Sequence, residues 1–211
     1  MAGHARIEVI PDAWRRGMRL LVPALAALAL AAAVLLALDD DPAAAGRPTA
    51  AAGTTSLWLT GSSLSYADAQ EAAGALGWQA GSYSLPGVGI SRGAHDPDAT
   101  LLSSAQRLLA GQTPDVVVLQ GGEADHVATA EPLRAAAVRL IEHVRASTDP
   151  GTRVVLVGPI PGPNVPESLR RVNDVLAQVA QQQGVTYVDA LGQGWRAGDP
   201  AVPAQLAAAL G

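Results

Sequence analysis

Two serines, Ser62 and Ser63, stand behind Gly61 at the end of the apolar run Leu57-Trp58-Leu59. Tyr66, Ala69, Ala73 and Leu76 follow at helical spacing. A strand that runs into a Gly-Ser-Ser turn and then a helix holds a hydroxyl in the positive field of the helix N-terminus. That is a position for a nucleophile, and the chemistry it points to is covalent catalysis through a serine hydroxyl. Such a serine needs a base to take its proton and donors to hold the oxyanion. The loop histidines that answer the first need are His95, beside Asp96 and Asp98, and His126, beside Glu123 and Asp125; either aspartate loop offers an orienting acid. His143 falls inside a helical pattern, His4 lies far upstream, and no histidine follows His143. Blander roles also suit these residues: Ser62 or Ser63 as a helix N-cap, Gly87 and Gly89 as turn glycines, and both histidines as solvated loop residues. Glu123, Asp125 and His126 share one loop, which is a poor metal site, so neither a metal nor a cofactor is expected.

Positioning these residues requires an alternation of strands and helices. Strands are expected over 56–61, 78–84, 115–121, 153–159 and 186–191, with helices over 66–76, 98–110, 131–146 and 167–182. Leu133, Ala137, Leu140, Ile141 and Val144 form the apolar face of the third helix. Five strands alternating with helices imply an α/β fold, a three-layer α/β/α sandwich on a five-stranded parallel sheet. Ligands in such folds bind at the carboxyl ends of the strands.

Several segments at those strand ends carry a family likeness. Gly61-Ser62-Ser63-Leu64 resembles the Gly-Asp-Ser-Leu block of the SGNH (GDSL-type) hydrolases. Pro86-Gly87-Val88-Gly89 is similar to the family's second block, and Gln120-Gly121-Gly122-Glu123-Ala124-Asp125 to its third, usually Gly-x-Asn-Asp. Val157-Gly158-Pro159-Ile160 and Tyr187-Val188-Asp189-Ala190-Leu191, with Gly194-Trp195, continue the order. The resemblance implies a flavodoxin-like fold, Ser63 as nucleophile, Ser62 in place of the preceding aspartate, and Gly87 as the oxyanion-hole glycine.

The departures bear on function. Ala124 falls where the family has its oxyanion asparagine, and the closing Asp-x-x-His block is absent. Gly198-Asp199-Pro200-Ala201-Val202-Pro203 runs straight into an apolar helix over 204–210. Losing one oxyanion donor costs about 10²–10³ in kcat, and a triad without its base keeps only about 10³–10⁴ over water. The expectation is a domain of serine ester-hydrolase ancestry that is catalytically impaired and binds an acylated or glycan ligand, or a protein partner. The alternative is an active esterase or deacetylase with Ser63 as nucleophile and His126 or His95 as substitute base. A shortened gene product, with the missing block encoded downstream of Gly211, is a further expectation.

Composition narrows the partners. There is no cysteine, so disulfides and thiolate metal sites are excluded. From Asp39 onward the chain carries 10 Arg and 17 Asp plus Glu, a net charge of −7 with no basic patch, which argues against nucleic acid. Residues 20–38 are uncharged and span about 28 Å as a helix, close to a bilayer core. Arg6, Arg15, Arg16 and Arg19 precede them and Asp39, Asp40 and Asp41 follow. The expected order is therefore a cytoplasmic segment 1–19, a transmembrane helix 20–38, a flexible linker 39–55 and an extracytoplasmic domain 56–211. A secreted protein after signal cleavage near Ala43-Ala44-Ala45 is the alternative.

Overall fold

The computed structural model describes residues 53–61 and 63–211. Five strands form one parallel sheet: β1 (Thr55–Thr60), β2 (Gln79–Ser84), β3 (Val116–Gln120), β4 (Arg153–Val157) and β5 (Thr186–Val188). Five helices alternate with them: α1 (Tyr66–Ala75), α2 (Leu101–Leu108), α3 (Ala130–Ser147), α4 (Glu167–Gln183) and α5 (Val202–Leu210). The strand order is β2-β1-β3-β4-β5, the doubly wound flavodoxin-like arrangement. The chain leaves β1 toward one edge and returns to place β3 on its other side. The crevice between the carboxyl ends of β1 and β3 is thus the topological switch point, where ligands of open α/β sheets bind.

Side chains that alternate along the strands divide the core into two layers. Leu57, Leu59, Val117, Leu119 and Leu156 pack with α2, α3 and α4 on one face. Trp58, Val118, Val155 and Val157 pack with α1 and α5 on the other. Every residue of β3 is buried, as a central parallel strand covered on both faces requires. The expected apolar face of the third helix is buried in full.

Boundaries shift where local hydrogen bonds compete with the sheet. Trp78, expected to open the second strand, instead donates its N–H to Ala73 O and closes the end of α1. Ala190 N–H turns back to Val188 O, so the fifth strand stops at Val188. α2 begins at Leu101 because Thr100 and Ser103 form a reciprocal capping box. α1 is capped in the same way by Ser65 with Asp68, so Ser63 stands outside the helix rather than capping it. Of the residues at helical spacing in α1, Tyr66 is 58% exposed at the first turn, while Ala69 and Ala73 are buried together with Ala72. The closing helix starts at Val202, with Pro203 in its first turn, where a missing N–H costs nothing. Among the described residues no helix is long and apolar enough to cross a membrane; the expected span 20–38 lies outside them.

Candidate active site

The turn that carries Ser63 is fastened to β3. Gly61 N–H donates to the backbone oxygen of Gln120 at 2.8 Å and to its side-chain Oε1 at 3.1 Å. Thr60 Oγ1 donates to Leu64 O at 2.8 Å, closing the loop beneath Ser63. Leu64 is fully buried and anchors the far side of the turn. Ser63 is therefore held, half-buried, at the carboxyl end of β1.

The loop after β2 brings Gly87 to the same end. Gly87 adopts φ 75°, a left-handed conformation that side chains disfavour, and its carbonyl accepts from Ala94 N–H at 2.6 Å. A Cβ on Gly61 would lie 3.5 Å from Val88 O, so this loop abuts the serine turn. His95 is folded back on the glycine: a Cβ on Gly87 would lie 3.5 Å from its ring.

The segment after β3 is a 3₁₀ turn, Glu123–Val127, entered through Gly122 at φ 117°. Its acidic residues face different ways. Asp125 is fully buried and accepts from Ile90 N–H at 2.7 Å, Ser91 N–H at 2.8 Å and the Ser91 hydroxyl. It clamps the loop after β2 instead of orienting a histidine. Asp96 is likewise engaged locally, accepting from Asp98 N–H. Ala124 offers no donor, and its Cβ lies against Gly89.

His126 is exposed, and its Nδ1 donates to Glu123 O at 3.0 Å. No hydrogen bond among the described residues joins it to Ser63. Nor does any group of three His, Asp or Glu residues there form a metal-holding cluster. The run from β5 to α5 folds tightly. Asp189 accepts from Gly192 N–H, Trp195 is buried, and Asp199 accepts from Ala201 N–H immediately before α5. No histidine stands in that run.

Glu123, which the sequence offered only as a poor metal ligand beside His126, has a different setting in the fold. Its Oε1 accepts from Gln120 Nε2 and from Ile160 N–H, each at 2.7 Å. Its Oε2 is shielded from solvent and makes no well-formed hydrogen bond among the described residues. A Cβ on Gly61 would sit 3.4 Å from that oxygen. The residue as a whole is only partly buried, but its carboxyl end is enclosed. Burial pushes the carboxyl pKa up; the Ile160 N–H, its own N–H, the Ser63 side chain and the Gln120 amide pull less strongly the other way. The available signal was Gln120 and Glu123 three residues apart, flanking two glycines at the end of an apolar strand.

A raised carboxyl makes a testable linkage. The folded state holds the Glu123 proton more tightly than the unfolded chain, so this group's stabilising contribution is full at low pH. It is lost as pH rises from the ordinary carboxylate range through the raised value. Glu123→Gln removes this loss. Its Tm is expected to exceed that of wild type at neutral pH, with the gap closing as pH falls through that window. Differential scanning calorimetry from pH 4 to 8 would show it; a gap independent of pH would refute it.

A parallel sheet with a serine turn at its switch point, a left-handed glycine beside it and an acidic turn after β3 defines an SGNH-type hydrolase scaffold. The profile of the GDSL-like lipase/acylhydrolase family matches residues 49–209, and the chain belongs to that family. No curated protein matches the chain. Among solved structures, the M. smegmatis aryl esterase is 19% identical with TM-score 0.60, over 74% of this chain and 96% of that one. A family two carbohydrate esterase from Clostridium thermocellum, in complex with cellohexaose, is 15% identical with TM-score 0.55. That match covers 74% of this chain and 62% of the esterase chain. Est24, a carbohydrate acetylesterase from Sinorhizobium meliloti, is 16% identical with TM-score 0.54, over 64% and 83% of the two chains. At these identities the likeness establishes the fold.

Proposed function

We propose that this chain is a low-turnover member of its family, a membrane-anchored extracytoplasmic domain that holds an acylated ligand at Ser63 and hydrolyses it slowly. The observation that carries the reading is the closing run from β5 to α5, which folds tightly yet contains no histidine. Ala124 removes a second contribution, the amide donor that the family directs at the oxyanion. What is kept is the Ser63 turn and Gly87. The neighbours with carbohydrate-esterase activity support an acyl group carried on a glycan as the ligand class. The uncharged run 20–38, with arginines before it and aspartates after it, supports the anchor.

The test is hydrolysis of p-nitrophenyl acetate by the full chain in detergent, beside Ser63→Ala. The expected result is slow turnover, about 10³–10⁴ over water, that disappears in the variant. Equal background rates from two folded proteins would remove the serine from the reaction. A second reading, efficient catalysis with His95 as base, is favoured by the packing of His95 against Gly87. It requires turnover well above that range and its loss in His95→Ala.

A further inference from the structure

We propose that Glu123 is the proton acceptor for Ser63, its Oε2 taking the place of the absent histidine. The inference rests on the reading of Ser63 as the residual nucleophile.

Three observations carry it. First, the carboxylate is fixed from one side only: Gln120 Nε2 and the Ile160 N–H both bind Oε1, leaving Oε2 without a well-formed hydrogen bond among the described residues. A buried carboxylate oxygen without a donor is costly, and it is the kind of exception that functional sites keep. Second, that oxygen is aimed at the serine turn. It would lie 3.4 Å from a Cβ on Gly61, and the Ser63 side chain is among the groups that stabilise the Glu123 charge. No hydrogen bond meeting ordinary geometry joins Oε2 to a donor among the described residues, and catalytic hydrogen bonds are often formed only once substrate binds. Third, one residue couples the two partners. Gln120 accepts from Gly61 N–H with Oε1 and donates to Glu123 with Nε2, so nucleophile turn and carboxylate are held in register by a single amide.

His95, on the loop after β2, packs against Gly87; the remaining charged groups near this turn are engaged elsewhere. His126, on the same turn, bonds Glu123 O, and Arg171 from α4 donates to the carbonyls of His126 and Ala128. Asp125 is committed to Ile90 and Ser91. The side of β3 supplies neutral Gln120, the loop after β4 a backbone N–H from Ile160, and the loop after β2 the Val88 carbonyl beside Gly61.

The step balances without a co-reactant beyond water. Ser63 Oγ–H gives its proton to Glu123 Oε2 as Oγ bonds the ester carbonyl carbon. Collapse of the tetrahedral intermediate breaks the C–O bond of the leaving alcohol, which takes the proton back from Oε2. Water then gives a proton to Oε2 as it attacks the acyl-serine, and that proton returns to Ser63 Oγ as the acid departs. A carboxylate is a weaker base than imidazole, which matches slow turnover.

The experiment follows fluorophosphonate labelling of Ser63 in the full chain in detergent, by mass spectrometry, between pH 4 and 9. Wild type, Ser63→Ala and Glu123→Gln are compared. The expected labelling rate for Glu123→Gln is about 10²-fold or more below wild type at pH 8. The wild-type rate is expected to rise with pH through one inflection above the ordinary carboxylate range, and the inflection to be missing in Glu123→Gln. That inflection is also expected to stay put on warming, because carboxyl ionisation is nearly athermal whereas imidazole ionisation is strongly endothermic. This last reading needs no variant. Wild-type labelling at the same rate in Glu123→Gln, or an inflection that moves with temperature and disappears in His95→Ala, overturns the role of Glu123 while keeping Ser63. No labelling of Ser63 in wild type overturns both this inference and the reading beneath it.

Discussion

Asp125→Ala is expected to lower the stability of the domain by about 4 kcal/mol. The carboxylate is fully buried and serves two backbone N–H groups and one hydroxyl, all on Ile90 and Ser91. Removing it leaves those donors enclosed without an acceptor, and each unsatisfied donor costs about 1–3 kcal/mol. The loss is a large share of the roughly 5–15 kcal/mol that holds a domain of this kind together. With a urea m-value of about 2 kcal/mol/M, the unfolding midpoint should fall by about 2 M, followed by far-UV circular dichroism. Asp125→Asn retains one acceptor oxygen and should recover part of the loss. A midpoint within 0.3 M of wild type (about 0.6 kcal/mol at that slope) would mean that the clamp contributes little. The consequence reaches the site, because the clamped loop carries Gly87 and reaches Gly61 through Val88 O.

Gly89→Ala attacks the same joint from the other side. A Cβ there would lie 2.1 Å from Arg92 O, 2.7 Å from Asp125 Oδ2 and 3.1 Å from Ala124 Cβ. The first contact is with backbone, which cannot swing away as a side chain does. Gly89 is also tied through its carbonyl, which accepts from Leu101 N–H at 2.8 Å at the start of α2. Overpacking at such a point costs about 3 kcal/mol or more. Urea unfolding measures the loss, and labelling of Ser63 in the folded fraction reports whether the loop has moved. The double variant Asp125→Ala/Gly89→Ala should lose less than the sum of the two, because each breaks the junction that the other depends on. Strict additivity would show that the two residues act at separate points.

Glu123 and Asp125 illustrate two uses of a buried carboxylate on one turn. All the strong donors around Asp125 are satisfied by it, so it serves the architecture. Glu123 is satisfied on one oxygen and holds the other, enclosed, against Gly61 of the serine turn. A charge kept under burial costs stability, and such groups are retained where reactivity is the return. The expected rise in Tm with Glu123→Gln and the expected fall in Ser63 labelling are two readings of that exchange.

The order of elements was legible from residue periodicity. The apolar run at 116–120, the faces of α3 and α4, and the Gly-Ser-Ser turn after β1 each depend on neighbours close in sequence. Alternation of strand and helix then leaves few arrangements, since parallel strands need covered crossovers of one hand. The placement of Ser63 at a strand end followed from the same local pattern. The cap of α1 did not, because three nearby serines offer the same side chain. Only the backbone path decides that Ser65 reaches Asp68 N–H.

The roles of the two carboxylates were decided by tertiary structure alone. Asp125 binds a backbone N–H 35 residues away, and Glu123 binds one 37 residues away. Backbone N–H groups belong to every residue except proline, so no residue type at 90 or 160 announces the contact. Sequence therefore determined that a serine stands at the end of the first strand and that no histidine follows His143. Folding determined that a buried carboxylate oxygen lies against the turn that carries that serine, because it takes the convergence of β1, β3 and β4 to enclose it.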